Sequence, residues 1–155
     1  SCIVVNAELE LPLHLMLVAT GIDSLHSGAL EEAFHWAKLL GDPEHGTELV
    51  VLTVVPDAGK LDEVRIRQQL DEKIGAAFAG ASAPAWITTA RRVACNSSIP
   101  RAITDAATRE QAQLIVIGKH SRSHFTRSLI GSVATAVTQY ATQPVLLVPP
   151  ALCLE

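Results

Sequence analysis

Short apolar runs alternate along the chain with longer stretches whose apolar positions recur at helical spacing. His14 to Thr20 (HLMLVAT) is mostly apolar and stops at Gly21, the pattern of a strand buried on both faces that ends in a turn. From Ser27, the residues Leu30, Ala33, Phe34, Ala37 and Leu40 fall on one helical face, with Ser27 as a candidate N-cap and Gly41 as the stop. Leu49 to Val55 is rich in β-branched residues and ends at Pro56, so it predicts a second strand. A helix is expected from about Lys60 to Phe78, followed by a small-residue loop, Ala79 to Ala85. Trp86 to Cys95 has strand propensity but mixed polarity, which suits a sheet edge. Ser98-Ile99-Pro100 opens a third helix that ends near Gln113, with Ile99, Ala102, Ile103, Ala106 and Ala107 as its buried stripe. Leu114 to Ile117 is a fully apolar strand and Gly118 to Leu129 a polar, basic loop. A fourth helix begins at Gly131 or Ser132, with Val133, Ala134, Val137 and Ala141 facing inwards, and Pro144 to Val148 is the last strand.

Strands separated by helices of ten or more residues predict an α/β fold in which one parallel sheet of five strands carries helices on both faces. The first ten residues show little pattern and fall outside this reading, as do the last few. At 155 residues the chain is sized for a single domain, with its core at about 14–149. Apolar residues make up 48% and aromatic residues only 4%, which agrees with aliphatic strands covered by Ala-rich helices.

Charge narrows the function classes. Twelve Lys and Arg against 16 Asp and Glu give a net charge of −4, and no long basic stretch offsets it, so nucleic acid is not an expected partner. Arg91 and Arg92 beside Trp86 read as a solvated strand face. No apolar run approaches the roughly 20 residues of a membrane span, and Glu8 and Glu10 precede the first strand where a signal peptide would carry Lys or Arg; a soluble, cytoplasmic protein is expected. Cys2, Cys95 and Cys153 are widely spaced without a CxxC and read as reduced thiols.

Ligands of such sheets bind beyond the carboxyl ends of the strands where the strand order reverses, which directs attention to residues 20–24 and 118–132. The second segment, GKHSRSHFTRSLIGS, joins a glycine after a buried strand, a group of cationic side chains and a Gly-Ser pair opening a helix. A helix N-terminus offers unpaired N–H groups and partial positive charge, Gly131 permits close approach to the backbone, and the Ser132 hydroxyl adds a donor. Lys119, Arg122 and Arg127 are available for charge-assisted contacts, so phosphate is the natural occupant; the other reading is an exposed basic loop before an ordinary helix start. His120 and His124 have helical metal-ligand spacing but lie in a loop without a neighbouring carboxylate or cysteine, and no metal site is expected. Neither a G-x-S-x-G elbow nor an identifiable base accompanies the serines.

This order of elements, with Gly118, then Gly131-Ser132 at this distance and PVLLVP near the end, resembles the universal stress protein family over about 15–149. Nucleotide-binding members carry G-x2-G-x9-G-[S/T] after the fourth strand. Here Gly118, Gly131 and Ser132 match, and Ser121 stands in place of the second glycine. The aspartate that ATP-binding members place after the first strand is in register with Gly21, and Asp23 follows two residues later. The resemblance implies a three-layer α/β/α sandwich of the adenine nucleotide α-hydrolase-like kind. It implies ATP or AMP, with no metal beyond nucleotide-associated Mg, at Thr20, Gly21, Asp23, Val54, Ile117, Gly118, His120, Ser121, Gly131, Ser132 and Val133. It also implies a homodimeric stress-response protein whose catalysis, if any, is slow ATP hydrolysis. The last strand, Pro144 to Val148, is the expected dimer edge, unless it is covered within its own subunit. A second reading is a member that has lost nucleotide binding through Gly21 and Ser121 and acts only through protein contacts.

Overall fold

The computed structural model of the protein describes residues 2–4, 8–20, 29–55, 63–81, 84–95, 98–118 and 132–148. Along the chain these form β1 (Cys2–Val4), β2 (Leu15–Ala19), α1 (Ala29–Leu40), β3 (Thr47–Val55), α2 (Glu63–Ala81), β4 (Ile87–Cys95), α3 (Ile99–Glu110), β5 (Leu114–Gly118), α4 (Ser132–Tyr140) and β6 (Val145–Val148). They build one sheet in the order β1-β6-β5-β2-β3-β4. Strands β2 to β6 are mutually parallel, as the alternation predicts, and β4 is the expected edge strand.

Burial follows the pleat, because successive side chains of a strand point to opposite faces. Met16 and Val18, Leu49 and Val51, Leu114 and Val116, and Leu146 and Val148 pack on one face against Leu30, Phe34 and Ala37 of α1 and Ile66, Leu70 and Ile74 of α2. Leu17 and Ala19, Val50 and Leu52, Ile115 and Ile117, and Val145 and Leu147 pack on the other against Ile103, Ala106 and Ala107 of α3 and Ala134 and Val137 of α4. The central strands are therefore apolar without alternation, since neither face meets water. The rings of Phe34 and Phe78 join α1 to α2 edge to face, with centroids 5.4 Å apart at 87°.

Several boundaries depart from the sequence expectations. The N-terminal stretch set aside as patternless contains β1, so the sheet has six strands, the sixth antiparallel. Cys2, Ile3 and Val4 lie opposite Leu147, Leu146 and Val145. The last strand is thus not an open edge; it is covered within its own chain. Helix α2 runs to Ala81, into the stretch expected to be a loop, because alanines favour helix more than its glycines oppose it. Helix α3 stops at Glu110, three residues early: Gln111 adopts a left-handed conformation (φ 60°, ψ 44°), and its N–H turns back to the Thr108 carbonyl. At its other end α3 begins as expected, with Ser98 Oγ accepting from the Arg101 N–H at 3.4 Å and Pro100 in the first turn. The proposed cap Ser27 lies outside the described residues, as does Lys60.

Candidate functional site

The chain leaves β2 for β3 on one side, whereas β5 lies on the other, so the connections diverge between β2 and β5. That is the switch point where a doubly wound sheet opens a crevice at its carboxyl edge. Ala19 pairs with both Ile117 and Leu52, which places Thr20, Gly118 and Thr53 side by side one residue further on. The Thr20 N–H donates to the Leu52 carbonyl at 2.9 Å, and Thr53 Oγ1 donates to the Thr20 carbonyl at 3.0 Å. Thr20 is therefore held to β3 through both of its backbone groups while its side chain stays half-exposed.

Ile117 is buried beneath this rim, and Val54 and Gly118 are half-buried at it, with Gly118 opposite Val148 on the far side. Helix α4 connects parallel β5 to parallel β6, so it starts at the carboxyl side of the sheet, at Ser132, with Val133 half-buried in its first turn. Its first-turn N–H groups have no partner within the helix. The fold thus brings Thr20, Val54, Ile117 and Gly118 to one rim and begins α4 on the same side. Gly21, Asp23, His120, Ser121 and Gly131 lie outside the described residues, as do Lys119, Arg122, Arg127 and His124. Backbone groups, a glycine and a helix start fit the phosphate and sugar of a nucleotide, whose recognition rests on N–H donors and close approach.

Sequence reading missed Thr53. It is a buried polar residue in the run LVVLTVV, and that isolated hydroxyl is the signal that could have exposed it. A buried hydroxyl needs a partner, and Thr53 finds it in the backbone of the rim.

A second polar cluster sits at the opposite, amino end of the sheet. Asp42 is nearly buried, and its Oδ2 lies 2.9 Å from both His14 Nε2 and His45 Nδ1. Its Oδ1 accepts the N–H groups of Glu44 at 2.9 Å and His45 at 3.1 Å. The His14 and His45 side chains, with these backbone donors, hold the Asp42 carboxyl well below the usual carboxylate range, against an opposing effect of burial. Thr47 Oγ1 extends the network, accepting from the Asp42 N–H at 2.9 Å and donating to the Leu13 carbonyl at 2.7 Å. Beside it, the Gln113 amide donates to the carbonyls of Glu10 and Pro12 at 3.1 and 3.2 Å and accepts from the N–H groups of His14 and Leu15. In sequence the two histidines merely precede β2 and β3. Their common carboxylate is 28 residues from one of them and 3 from the other, so nothing local joins all three.

Among the described residues, no group of three or more His, Cys, Asp or Glu side chains is arranged to hold a metal ion, and no helix is long and apolar enough to cross a membrane. Arg91 and Arg92 form ion pairs with opposite layers, Arg91 with Asp71 of α2 at 2.9 Å and Arg92 with Glu110 of α3 at 3.0 Å. Adjacent strand residues point to opposite faces, so the two do not make one basic patch.

Known proteins share this architecture. The family model described as the universal stress protein family matches residues 15–149. A universal stress protein of Mycolicibacterium smegmatis is 34% identical over 110 residues, which is 68% of this chain and 37% of that protein. The chain therefore spans well under half the length of that relative. Among solved structures, a universal stress protein in complex with cAMP superposes with a TM-score of 0.67 at 20% identity, covering 90% of this chain and 99% of the other. The universal stress protein of Archaeoglobus fulgidus in complex with dAMP gives 0.59 at 23% identity, covering 88% and 98%. At these identities the structural likeness speaks for the fold. With the family match over nearly the whole sheet and its helices, the chain belongs to the universal stress protein family.

Proposed function

We propose that this protein binds an adenine nucleotide, ATP or AMP, at the carboxyl-edge crevice between β2 and β5, as a cytoplasmic stress-response protein that forms a homodimer through its last strand. The observation that carries the reading is the convergence of Thr20 and Gly118 at the switch point, on the side of the sheet where α4 begins. In this reading the phosphate is taken at the start of α4 by Gly118, Gly131 and Ser132, with His120, Ser121 and Val133 as further contacts. The nucleoside lies toward Thr20, Gly21, Asp23, Val54 and Ile117. The family relatives solved with cAMP and dAMP support an adenine nucleotide over a bare anion. Catalysis is no part of the proposal beyond slow ATP hydrolysis.

The test is calorimetric titration of nucleotide-free protein with ATP, AMP and inorganic phosphate at fixed salt, because attraction by surface charge is screened. Binding of ATP in the micromolar range is expected, together with its loss in Gly131→Val, where a β-branched side chain would block approach to the backbone while the circular dichroism spectrum is retained. Binding that survives in Gly131→Val moves the site elsewhere. No heat with any of the three at millimolar concentration means that Gly21 and Ser121 have closed the site, and the protein then acts through protein contacts alone.

A further inference from the structure

The outer backbone edge of β6 is the place where a second copy of the chain would extend the sheet, and in this structure β1 occupies it. Strand β1 is three residues long, antiparallel to β6, and outermost in the sheet. We propose that β1 is an intramolecular cap that competes with a second copy of this chain for the β6 edge, so that pairing between copies requires β1 to come away. The inference rests on the dimer reading given above and adds its control.

Both occupants need the same row of N–H and C=O groups. Two β6 strands related by a two-fold axis perpendicular to the sheet run antiparallel, as β1 and β6 do. Centring that axis on Leu146 places Val145 opposite Leu147 of the other copy. Each side chain then stays on the face it already packs against, Val145 and Leu147 toward α3 and α4 and Leu146 toward α1 and α2. The edge is apolar from Pro144 to Val148, so either occupant shields it. A backbone edge accepts one strand, and the two states exclude one another.

The entry into β2 has an anchor independent of the cap. Gln113 holds the carbonyls of Glu10 and Pro12 and the N–H groups of His14 and Leu15. Leu9 also packs against the core, so release of β1 leaves the entry into β2 fixed. Tethering gives the cap an effective concentration on the order of millimolar, which a second copy at micromolar concentration meets only when the cap is weakened.

The experiment is sedimentation equilibrium of the full chain and of a variant lacking residues 1–7, both from low micromolar to several hundred micromolar, with thermal unfolding to show that each is folded. The dimer dissociation constant is expected to be at least about ten-fold lower without residues 1–7. Equal constants for two dimerising proteins overturn the cap and leave the dimer reading in place. Loss of dimer on deletion assigns the interface to β1 itself and also overturns the cap. Two folded monomers throughout mean that the dimer reading has failed and the cap with it. A second variant avoids truncation. Leu147→Cys places a cysteine opposite Cys2 in the strand register. Oxidation by glutathione disulfide should join the two thiols within one chain and hold the protein monomeric, with reduction restoring the concentration dependence. Failure of the bond to form, or a dimer that persists once it has formed, overturns the proposal.

Discussion

Asp42 is the residue most dependent on its surroundings. A nearly buried carboxylate is costly without compensation, and this one receives two imidazole nitrogens and two backbone N–H groups. Folding favours its charged form, since its proton is lost at lower pH in the native state than in the unfolded chain. The stability it contributes is therefore complete above the unfolded value of about 4 and declines as pH falls below that value toward the depressed native one. Asp42→Asn keeps the shape and removes the charge. Urea unfolding should show the variant less stable at pH 5, with the gap to the unsubstituted protein narrowing as pH drops to about 2. A gap that is constant over this range would mean that the carboxylate contributes through shape and not through charge. Nothing in the local sequence announces this arrangement, because His14 reaches Asp42 only once β2 and the turn before β3 stand side by side.

At the scale of elements, Gly41 fixes how α1 gives way to β3. Its N–H closes the helix on the Ala37 carbonyl at 2.8 Å, and a Cβ there would meet that carbonyl, Thr47 Oγ1 and, at 2.8 Å, the Trp86 ring. Two of these neighbours are part of the backbone or of the Thr47 network, so they cannot yield without disturbing Asp42. Gly41→Ala should therefore destabilise by about 1–3 kcal/mol in urea unfolding, although alanine is the better helix former. Unchanged or increased stability would show that the turn relaxes freely. The sequence does mark Gly41 as a helix stop, but the crowding that makes it necessary comes from Trp86, 45 positions away, and is not visible there. The same division runs through the other elements. Strands β2, β3, β5 and β6 are legible because both their faces are buried, leaving apolar runs that only Thr53 interrupts between Leu49 and Val55. The edge position of β4 is legible from its polar residues. Strand β1 was missed because three residues, Cys-Ile-Val, carry neither a period nor a turn signal, and the end of α2 because Ala, Gly and Ser read equally as helix and loop. For the candidate site, chain order points to the switch point between β2 and β5, whereas Thr53 emerges only from the pairing of β2 with β3.

For the whole molecule, the crevice is also a joint between two halves of the sheet, β2-β3-β4 and β2-β5-β6, which share the covering helices of both faces. A nucleotide spanning Thr20 and Gly118 would touch both halves and bind only the native arrangement. Such a ligand stabilises by about 2.7 kcal/mol at a free concentration 100 times its dissociation constant. For a domain of this size that corresponds to a rise in Tm of about 5–10 °C. Thr53 supplies a way to separate the joint from general stability. Thr53→Val retains the shape, removes the hydroxyl that holds the Thr20 carbonyl, and leaves that acceptor without its side-chain partner, at a cost of about 1 kcal/mol in the ligand-free protein. If Thr20 must be held in place to meet the nucleoside, the variant will lose affinity as well, and the Tm rise at a fixed ATP concentration will shrink by more than the drop in the ligand-free Tm accounts for. Differential scanning calorimetry with and without ATP reads both quantities on the same sample. An unchanged ligand-induced rise on a lowered baseline would mean that Thr53 serves only the packing of β3, and that the nucleotide is positioned from the β5 side of the crevice alone.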